Sequence, residues 1–284
     1  MRTIHGQVLT STSIDSQGEQ LSRMELEELL SLSPDPLPLN YLHDMGKQYC
    51  GIARNLRIEQ DENNADLFYL KADVEVEDEP FDALVNSGRG GFSWSLTIKL
   101  KKNYDGEDPP EVMIYLPWPY YKDEELISRL LASPHRTLVG KWVKKGAEPT
   151  LIALIAPPII FLLAPVWRQV YERHIAPSIR NSYEQLKVLW DQRMSTVHVF
   201  TTQYGYNLEC HIFLNADQEH PSESCSVDNI EKGINIAVTL LQDRITAGRE
   251  PIRCHMKYEL ANDQWVPVSI QYRGGTYENI NGAT

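Results

Sequence analysis

Apolar residues alternate strictly from Phe68 to Val76. Phe68, Leu70, Ala72, Val74 and Val76 share one face, and Tyr69, Lys71, Asp73 and Glu75 the other. Period two is the mark of a strand with one face in water. The rhythm returns after Gly88-Arg-Gly-Gly91. There Phe92, Trp94, Leu96, Ile98 and Leu100 oppose Ser93, Ser95, Thr97 and Lys99, which predicts a strand over Phe92–Lys101. Thr3–Thr10, Leu37–His43, Tyr49–Gln60 and Glu111–Leu116 read as further strands. Punctuation between them is local. Asp15-Ser-Gln-Gly18-Glu is a turn of Asp, Ser and Gly. Ser22-Arg-Met-Glu25 has capping-box spacing ahead of Leu26, Leu29 and Leu30, so a short helix starts there. Asp61-Glu-Asn-Asn64 predicts a hairpin turn, Pro80 opens a short helix ending near Asn86, and Asp123–Ala132 is helical.

The middle of the chain breaks the rhythm. Thr150 to Trp167 carries no charge, Lys141, Lys144 and Lys145 precede it, and Arg168 follows. Two readings stand. One is a buried helix that begins at Pro157-Pro158 and continues past Pro165 into Trp167. The other is a proline-kinked span or re-entrant anchor over residues 150–167, close to the ~20 apolar residues a membrane crossing needs. Pro177 to Arg193 then reads as an amphipathic helix with Ile179, Leu186 and Leu189 on its apolar side. The last ninety residues predict ββαββ. Thr196–Thr202 and Asn207–Leu214 form a hairpin, and Asp228 caps a helix with Ile230, Ile234, Val238, Leu241 and Ile245 at helical spacing. Pro251–Leu260 and Gln264–Tyr272 form a second hairpin.

Composition narrows the function classes. With 284 residues, 42% of them hydrophobic, the chain has enough material for one large or two ordinary domains. A formal net charge of −12 argues against nucleic acid as a partner, because phosphate contacts need clustered Lys and Arg. Four cysteines, at 50, 210, 225 and 254, form no CxxC pair. Reduced thiols and a cytoplasmic setting are expected, and the segment Met1-Arg-Thr-Ile-His lacks the apolar core of a secretory signal.

The most informative constellation is His43-Asp44 together with Gly91-Phe-Ser93-Trp-Ser95. A serine hydroxyl is a weak nucleophile until a base within hydrogen-bond reach takes its proton. If the strand ending at His43 neighbours the strand beginning near Ser93, the two meet, and backbone amides around Gly90–Phe92 face a developing oxyanion. A solvent-facing hydroxyl beside an ordinary surface histidine is the plainer reading of the same residues.

The order of these motifs resembles the prohead serine proteases of tailed phages, relatives of the herpesvirus capsid-maturation protease. That family opens with a strand and a turn of the type Val-Asp-x-x-Gly-Glu, here Ile14-Asp-Ser-Gln-Gly-Glu19. A helix follows, then a strand ending in an Asn-x-x-His-Asp-like motif, here Asn40-Tyr-Leu-His43-Asp44. Next comes a glycine-bearing strand, here Cys50-Gly-Ile-Ala, and a nucleophile segment, here Gly91-Phe-Ser93-Trp-Ser-Leu96. Glu111-Val-Met-Ile-Tyr matches the family's Glu-Val strand. The resemblance covers about residues 3–120. It implies an endopeptidase on a closed β-barrel flanked by helices, with Ser93 as nucleophile, His43 as general base and Glu111 as orienting acid. It implies no metal or cofactor, and a protein or peptide as substrate. Ser95 stands where the family has Gly, shares the face of Ser93, and is the alternate nucleophile.

Other candidates compete less well. Cys210-His211, Cys225 and Cys254-His255 offer metal ligands, but neighbours on a strand point to opposite faces, so each pair gives one ligand to a given site. Cys50, seven residues from His43, is a conceivable thiol nucleophile or a core residue. Gly88-Arg-Gly-Gly91 lacks the Lys-Ser/Thr of a phosphate loop. Lys99, Lys101, Lys102 and the Lys141–Lys145 cluster read as solvated strand edges, the latter also as the flank of an anchor. Trp142, Trp167, Trp190 and Trp265 read as core or interfacial residues.

The expected architecture is therefore α+β. Residues 1–135 would form a barrel-like protease domain, 136–194 an apolar helical linker with the anchor alternative, and 195–284 a small ββαββ domain. The functional expectation is a serine endopeptidase of capsid maturation. Its alternative is an inactive protease-like barrel that docks proteins or membranes in phage assembly or bacterial defence.

Overall fold

The computed structural model describes residues 1–15, 18–33, 35–40, 48–78, 94–99, 112–145, 151–160, 176–191, 195–204, 208–217 and 219–280. The chain divides into two compact units. One comprises Met1–Ile98 with Val143–Glu148, the other Lys99–Trp142 with Pro149–Thr284.

The first unit is built on an antiparallel sheet of β1 (Arg2–Ser11), β2 (Leu37–Asn40), β3 (Tyr49–Gln60) and β4 (Phe68–Val76), in the order β1-β4-β3-β2. Helix α1 (Arg23–Leu32) starts at the expected capping box. Ser22 accepts from the Glu25 amide, and the Glu25 carboxylate accepts from the Ser22 amide. The helix buries Leu26 and Leu29 into a core with Leu37, Leu39, Cys50, Leu70, Ala72, Val74 and Val76. The alternation in β4 is realised: Leu70, Ala72, Val74 and Val76 are sealed, and the alternate residues are half-exposed.

That wetter face carries charge pairs. Lys71 and Arg57 both donate to Glu59 at 2.7 Å, and Arg54 lies 3.4 Å from Glu75. Two irregularities bend the sheet beside Asp73. Gly6, at φ +67°, gives its amide to Asp73 Oδ1 at 3.0 Å, and Asn55, at φ 54°, donates its side-chain amide to Asp73 Oδ2 at 3.0 Å. β5 (Trp94–Lys99) brings the indole of Trp94 into the same core, and Val143 joins it from β7 (Thr137–Lys145). Among the described residues this sheet is open, so the closed barrel expected from the resemblance is not what these strands form. The helix expected over Pro80–Asn86 lies outside the described residues.

The second unit holds β6 (Val112–Leu116), most of β7, β8 (Leu151–Ile160), β9 (Ser195–Tyr204), β10 (Leu208–Asn215), β11 (Pro251–Glu259), β12 (Gln264–Tyr272) and β13 (Tyr277–Asn279). These strands lie in the order β13-β12-β11-β10-β9-β8-β6-β7. Helix α2 (Glu124–Leu131) is capped by Asp123 and connects β6 to its parallel neighbour β7. Helix α3 (Ala176–Trp190) lies between the parallel strands β8 and β9 in the chain. The short α4 (Pro221–Ser224) and long α5 (Val227–Thr246) lie between parallel β10 and β11. One core gathers Leu126 and Leu130 of α2, Ile179, Leu186 and Leu189 of α3, and Ile230, Ile234, Ala237, Val238 and Leu241 of α5.

The apolar middle segment departs from expectation. Leu151–Ile160 is a strand, paired to β6 on one side and β9 on the other, and no helix begins at Pro157-Pro158. A charge-free run is how a strand covered on both faces reads, and periodicity alone does not separate that from a buried helix. The prolines fall where the β8–β9 register skips from Ala156 to Ile159, which suits residues with no N–H to give the ladder. Residues 136–194, expected as a helical linker, thus contribute β7, β8 and α3. No helix among the described residues is long and apolar enough to cross a membrane. The C-terminal order β9-β10-α5-β11-β12 follows the expected ββαββ, with both hairpins antiparallel. The cap of α5 is Ser226, which accepts from the Asn229 amide, and Asp228 sits inside the first turn instead.

Candidate active site

The residues singled out for chemistry fall at the ends of described strands. His43, Asp44, Ser93 and Glu111 themselves lie outside the described residues, as does Gly88-Arg-Gly-Gly91. Ser95 lies on β5. The described framework flanks them on either side.

β2 ends at Asn40, three residues before His43. Its Leu37 and Leu39 are sealed in the core of the first unit, and Asn40 is 7% exposed. The preceding turn is closed as its composition demands. Asp15 Oδ1 accepts from the Glu19 amide at 2.9 Å, the Gly18 amide donates to Asp15 O at 3.0 Å, and Gly18 takes φ +82°. β3 runs beside β2, with Gly51 opposite Leu39 on one side and Val76 on the other. A Cβ at Gly51 would stand 2.3 Å from the Glu75 carbonyl oxygen, so only glycine lets these backbones approach. β5 begins at Trp94, directly after Ser93, and β6 at Val112, directly after Glu111. Asn40 and Trp94 belong to the first unit and Val112 to the second.

Cys50 is a buried core thiol. Its thiol donates to Leu39 O at 3.4 Å, and burial, aided by the charge of Glu77, pushes it up to about 12. A thiol with that pKa holds almost no thiolate near neutral pH. The other cysteines are also core residues. Cys210, Cys225 and Cys254 pack with the helices, and burial pushes Cys254 up to about 12. Strand alternation puts the neighbours of Cys210 and Cys254 on the opposite face. There His255 stacks on Phe213 with ring centroids 4.6 Å apart, and His211 flanks the same ring at 6.4 Å. Among the described residues no three His, Cys, Asp or Glu side chains converge as a metal site.

Lys141 departs from its expected place on a solvated edge. It is 5% exposed, with its ammonium 4.5 Å from the ring centroid of Tyr121. Trp142 and Trp265 are buried, and Trp190 is partly buried against the second unit's core.

Three polar clusters were not foreseen. Glu278 accepts from Arg244 at 2.6 Å, Arg249 at 2.6 Å and the Tyr272 hydroxyl at 2.7 Å. The Arg244 guanidinium, followed by Tyr272 and Arg249, holds its carboxyl down at about 2. Arg249 also lies 3.5 Å over the Tyr272 ring. The cluster ties the end of α5 to the β12–β13 edge. A second cluster joins Tyr258, Asp263 and Asn229: the Tyr258 hydroxyl donates to Asp263 Oδ1, and Asn229 donates to the Tyr258 oxygen at 2.9 Å. Burial and the Asp263 carboxylate raise the Tyr258 phenol, so it is a poorer acid than free tyrosine. The third cluster is local. Asp217 accepts the amides of Glu219 and His220 and lies 3.2 Å from His220 Nδ1, shaping the turn into α4. The first two link residues up to 34 apart in sequence, and no local spacing announces them.

No protein-family model matches the chain, and neither a curated protein nor a solved structure matches it.

Proposed function

We propose that the chain is a serine endopeptidase of the prohead-maturation type, with Ser93 as nucleophile, His43 as general base and Glu111 as the acid that orients it. The observation that supports this reading is the framework of the first unit. The strand leading to His43 and the residue following Ser93 send Leu39 and Trp94 into one hydrophobic core, after a turn and capped helix in the order the resemblance implies. A nucleophile–base pair needs a rigid framework beneath it, and the described flanks of the two segments share that core. The substrate is a protein or peptide, in capsid maturation or a bacterial regulatory setting.

In the proposed reaction the Ser93 oxygen bonds to the scissile carbonyl carbon while its proton passes to His43. His43 returns that proton to the departing amine as the C–N bond breaks. Water then attacks the acyl ester, gives its proton to His43, and leaves a free acid and a restored Ser93 hydroxyl. The cycle is complete without an oxidant, reductant or metal.

Labelling the full chain with a fluorophosphonate probe, followed by peptide mapping, tests this. The wild type is expected to label at Ser93, and Ser93→Ala and His43→Ala to lose the label. Labelling at Ser95 that Ser95→Ala removes would move the nucleophile by two positions. A folded wild type that labels at neither serine would overturn the enzyme reading.

A second reading has its own support. Among the described residues neither sheet closes into a barrel. A non-enzymatic docking module, derived from the protease framework and used in assembly or defence, needs no closure and no proximity of Ser93 to His43. That reading expects no label at either serine in a folded sample.

A further inference from the structure

We infer that the face of β10, β11 and β12 turned away from the helices carries a binding site for an adenine nucleotide. The helices of the second unit pack on the face that presents Cys210, Ile212, Cys254 and Ile270. Alternation turns His211, Phe213, Arg253, His255, Ser269 and Gln271 to the other face. Register makes them one patch of two rows. His211, Arg253 and Gln271 pair across the three strands in one row, and Phe213, His255 and Ser269 in the next. No carboxylate stands among the six, in a chain of net charge −12. Arg253 is half-buried, forms no ion pair among the described residues, and holds its guanidinium 5.9 Å from the Phe213 ring centroid. Directly across from it Gln271 is 1% exposed, and its Oε1 has no hydrogen-bond partner. Ser269, one row on, is sealed, and its Oγ is equally unpartnered. Buried polar groups are nearly always satisfied, so two orphans on one strand face mark a place where a ligand completes the bonding.

The inventory of these groups selects the ligand. A glutamine amide offers a donor and an acceptor at its tip, which match N7 and the N6 amino group of adenine. The rings of Phe213 and His255, stacked with centroids 4.6 Å apart, give the patch flat faces suited to a flat base. The forked donors of Arg253 suit a phosphate. Neighbouring strands lie about 4.8 Å apart, so the base and phosphate positions fall within the reach of one mononucleotide. His211, Phe213 and Arg253 are half-buried and form the open side. Turning the Gln271 carbonyl toward that side breaks no hydrogen bond, since its Oε1 makes none.

Isothermal titration of the full chain with AMP, GMP and inorganic phosphate, beside thermal unfolding with each, tests this. AMP is expected to bind about tenfold or more tightly than GMP, whose N7 and O6 edge brings no donor to Gln271 Oε1. Arg253→Ala is expected to weaken AMP about tenfold or more through the lost phosphate contact. Gln271→Leu, in a sample whose circular dichroism is unchanged, is expected to bring AMP down to the level of GMP. If the leucine variant does not fold, Gln271→Glu takes its place: it keeps the size and polarity of the side chain, removes the donor, and is expected to weaken AMP about tenfold as well. No heat and no thermal shift with AMP would overturn the site. Equal affinity for AMP and GMP, or phosphate bound as tightly as AMP, would overturn the adenine assignment. AMP binding unchanged in the Arg253 and Gln271 variants would place the nucleotide elsewhere and overturn the inference too. None of these outcomes bears on fluorophosphonate labelling, so the endopeptidase reading is tested separately.

Discussion

β4 and β8 are strands of nearly equal length written in different codes. β4 alternates, because its odd members face charge pairs such as Lys71–Glu59 while Leu70, Ala72 and Val74 face a sealed core. β8 reads LIALIAPPII without alternation; like β4, which lies between β1 and β3, it is paired on both sides, by β6 and β9. The contrast teaches that period two is a property of a half-wet strand, not of strands as such. A strand covered on both faces reads as a continuous apolar run, which periodicity alone does not separate from a buried helix or an anchor.

Substitutions in the two strands sharpen this contrast. In β8, Ala153→Pro removes a donor between Tyr115 of β6 and Val197 of β9, and is expected to cost about 3 kcal/mol or more in urea unfolding. A cost below about 1 kcal/mol would show that β8 is not interior. In β4, Leu70→Ala empties a fully buried site and is expected to cost about 2–5 kcal/mol. One residue on, Lys71→Ala should change stability by no more than about 1 kcal/mol, since its ion pair with Glu59 is partly exposed. Equal effects at 70 and 71 would sink the two-faced description of β4.

Gly51→Ala falls between these extremes. Its Cβ meets backbone rather than a movable side chain, so a loss of about 1–3 kcal/mol is expected in thermal or urea unfolding. In the second unit, Glu278→Gln is expected to cost about 1.5 kcal/mol near neutral pH through its charge-assisted bonds to Arg244 and Arg249. The folded carboxyl is depressed from 4.5 to about 2, so its stabilisation is complete above the ordinary value and is lost as pH falls from there to about 2. The gap between wild type and Glu278→Gln should therefore close over that window. A gap that persists at the acid end would show that geometry, not charge, carries the cluster. Asp73, also held near 2, by Asn55 and the Gly6 amide, titrates in the same direction on the exposed face of the first unit.

The local grammar of this chain was legible in advance. The Ser22 capping box, the Asp61–Asn64 turn, the β4 alternation and the terminal hairpins depend on neighbours within a few residues, and they formed where they were read. Features that depend on partners far away were not legible. Lys141 lies under cover because Tyr121 offers its ring. For the candidate site, sequence order supplied His43, Ser93 and Glu111, and the structure added the buried framework at their flanks.

Taken alone, then, the sequence determined the α+β character, most strand and helix positions, and the chemical types available for catalysis, because propensity, capping and turn chemistry act over a few residues. Only the tertiary structure decided that Leu151–Ile160 is a strand between β6 and β9, that the described sheets stay open, and that Glu278 gathers two arginines and a tyrosine. Each of these turns on which distant segments become neighbours, and that is settled by burial of whole faces against one another rather than by any short stretch of chain.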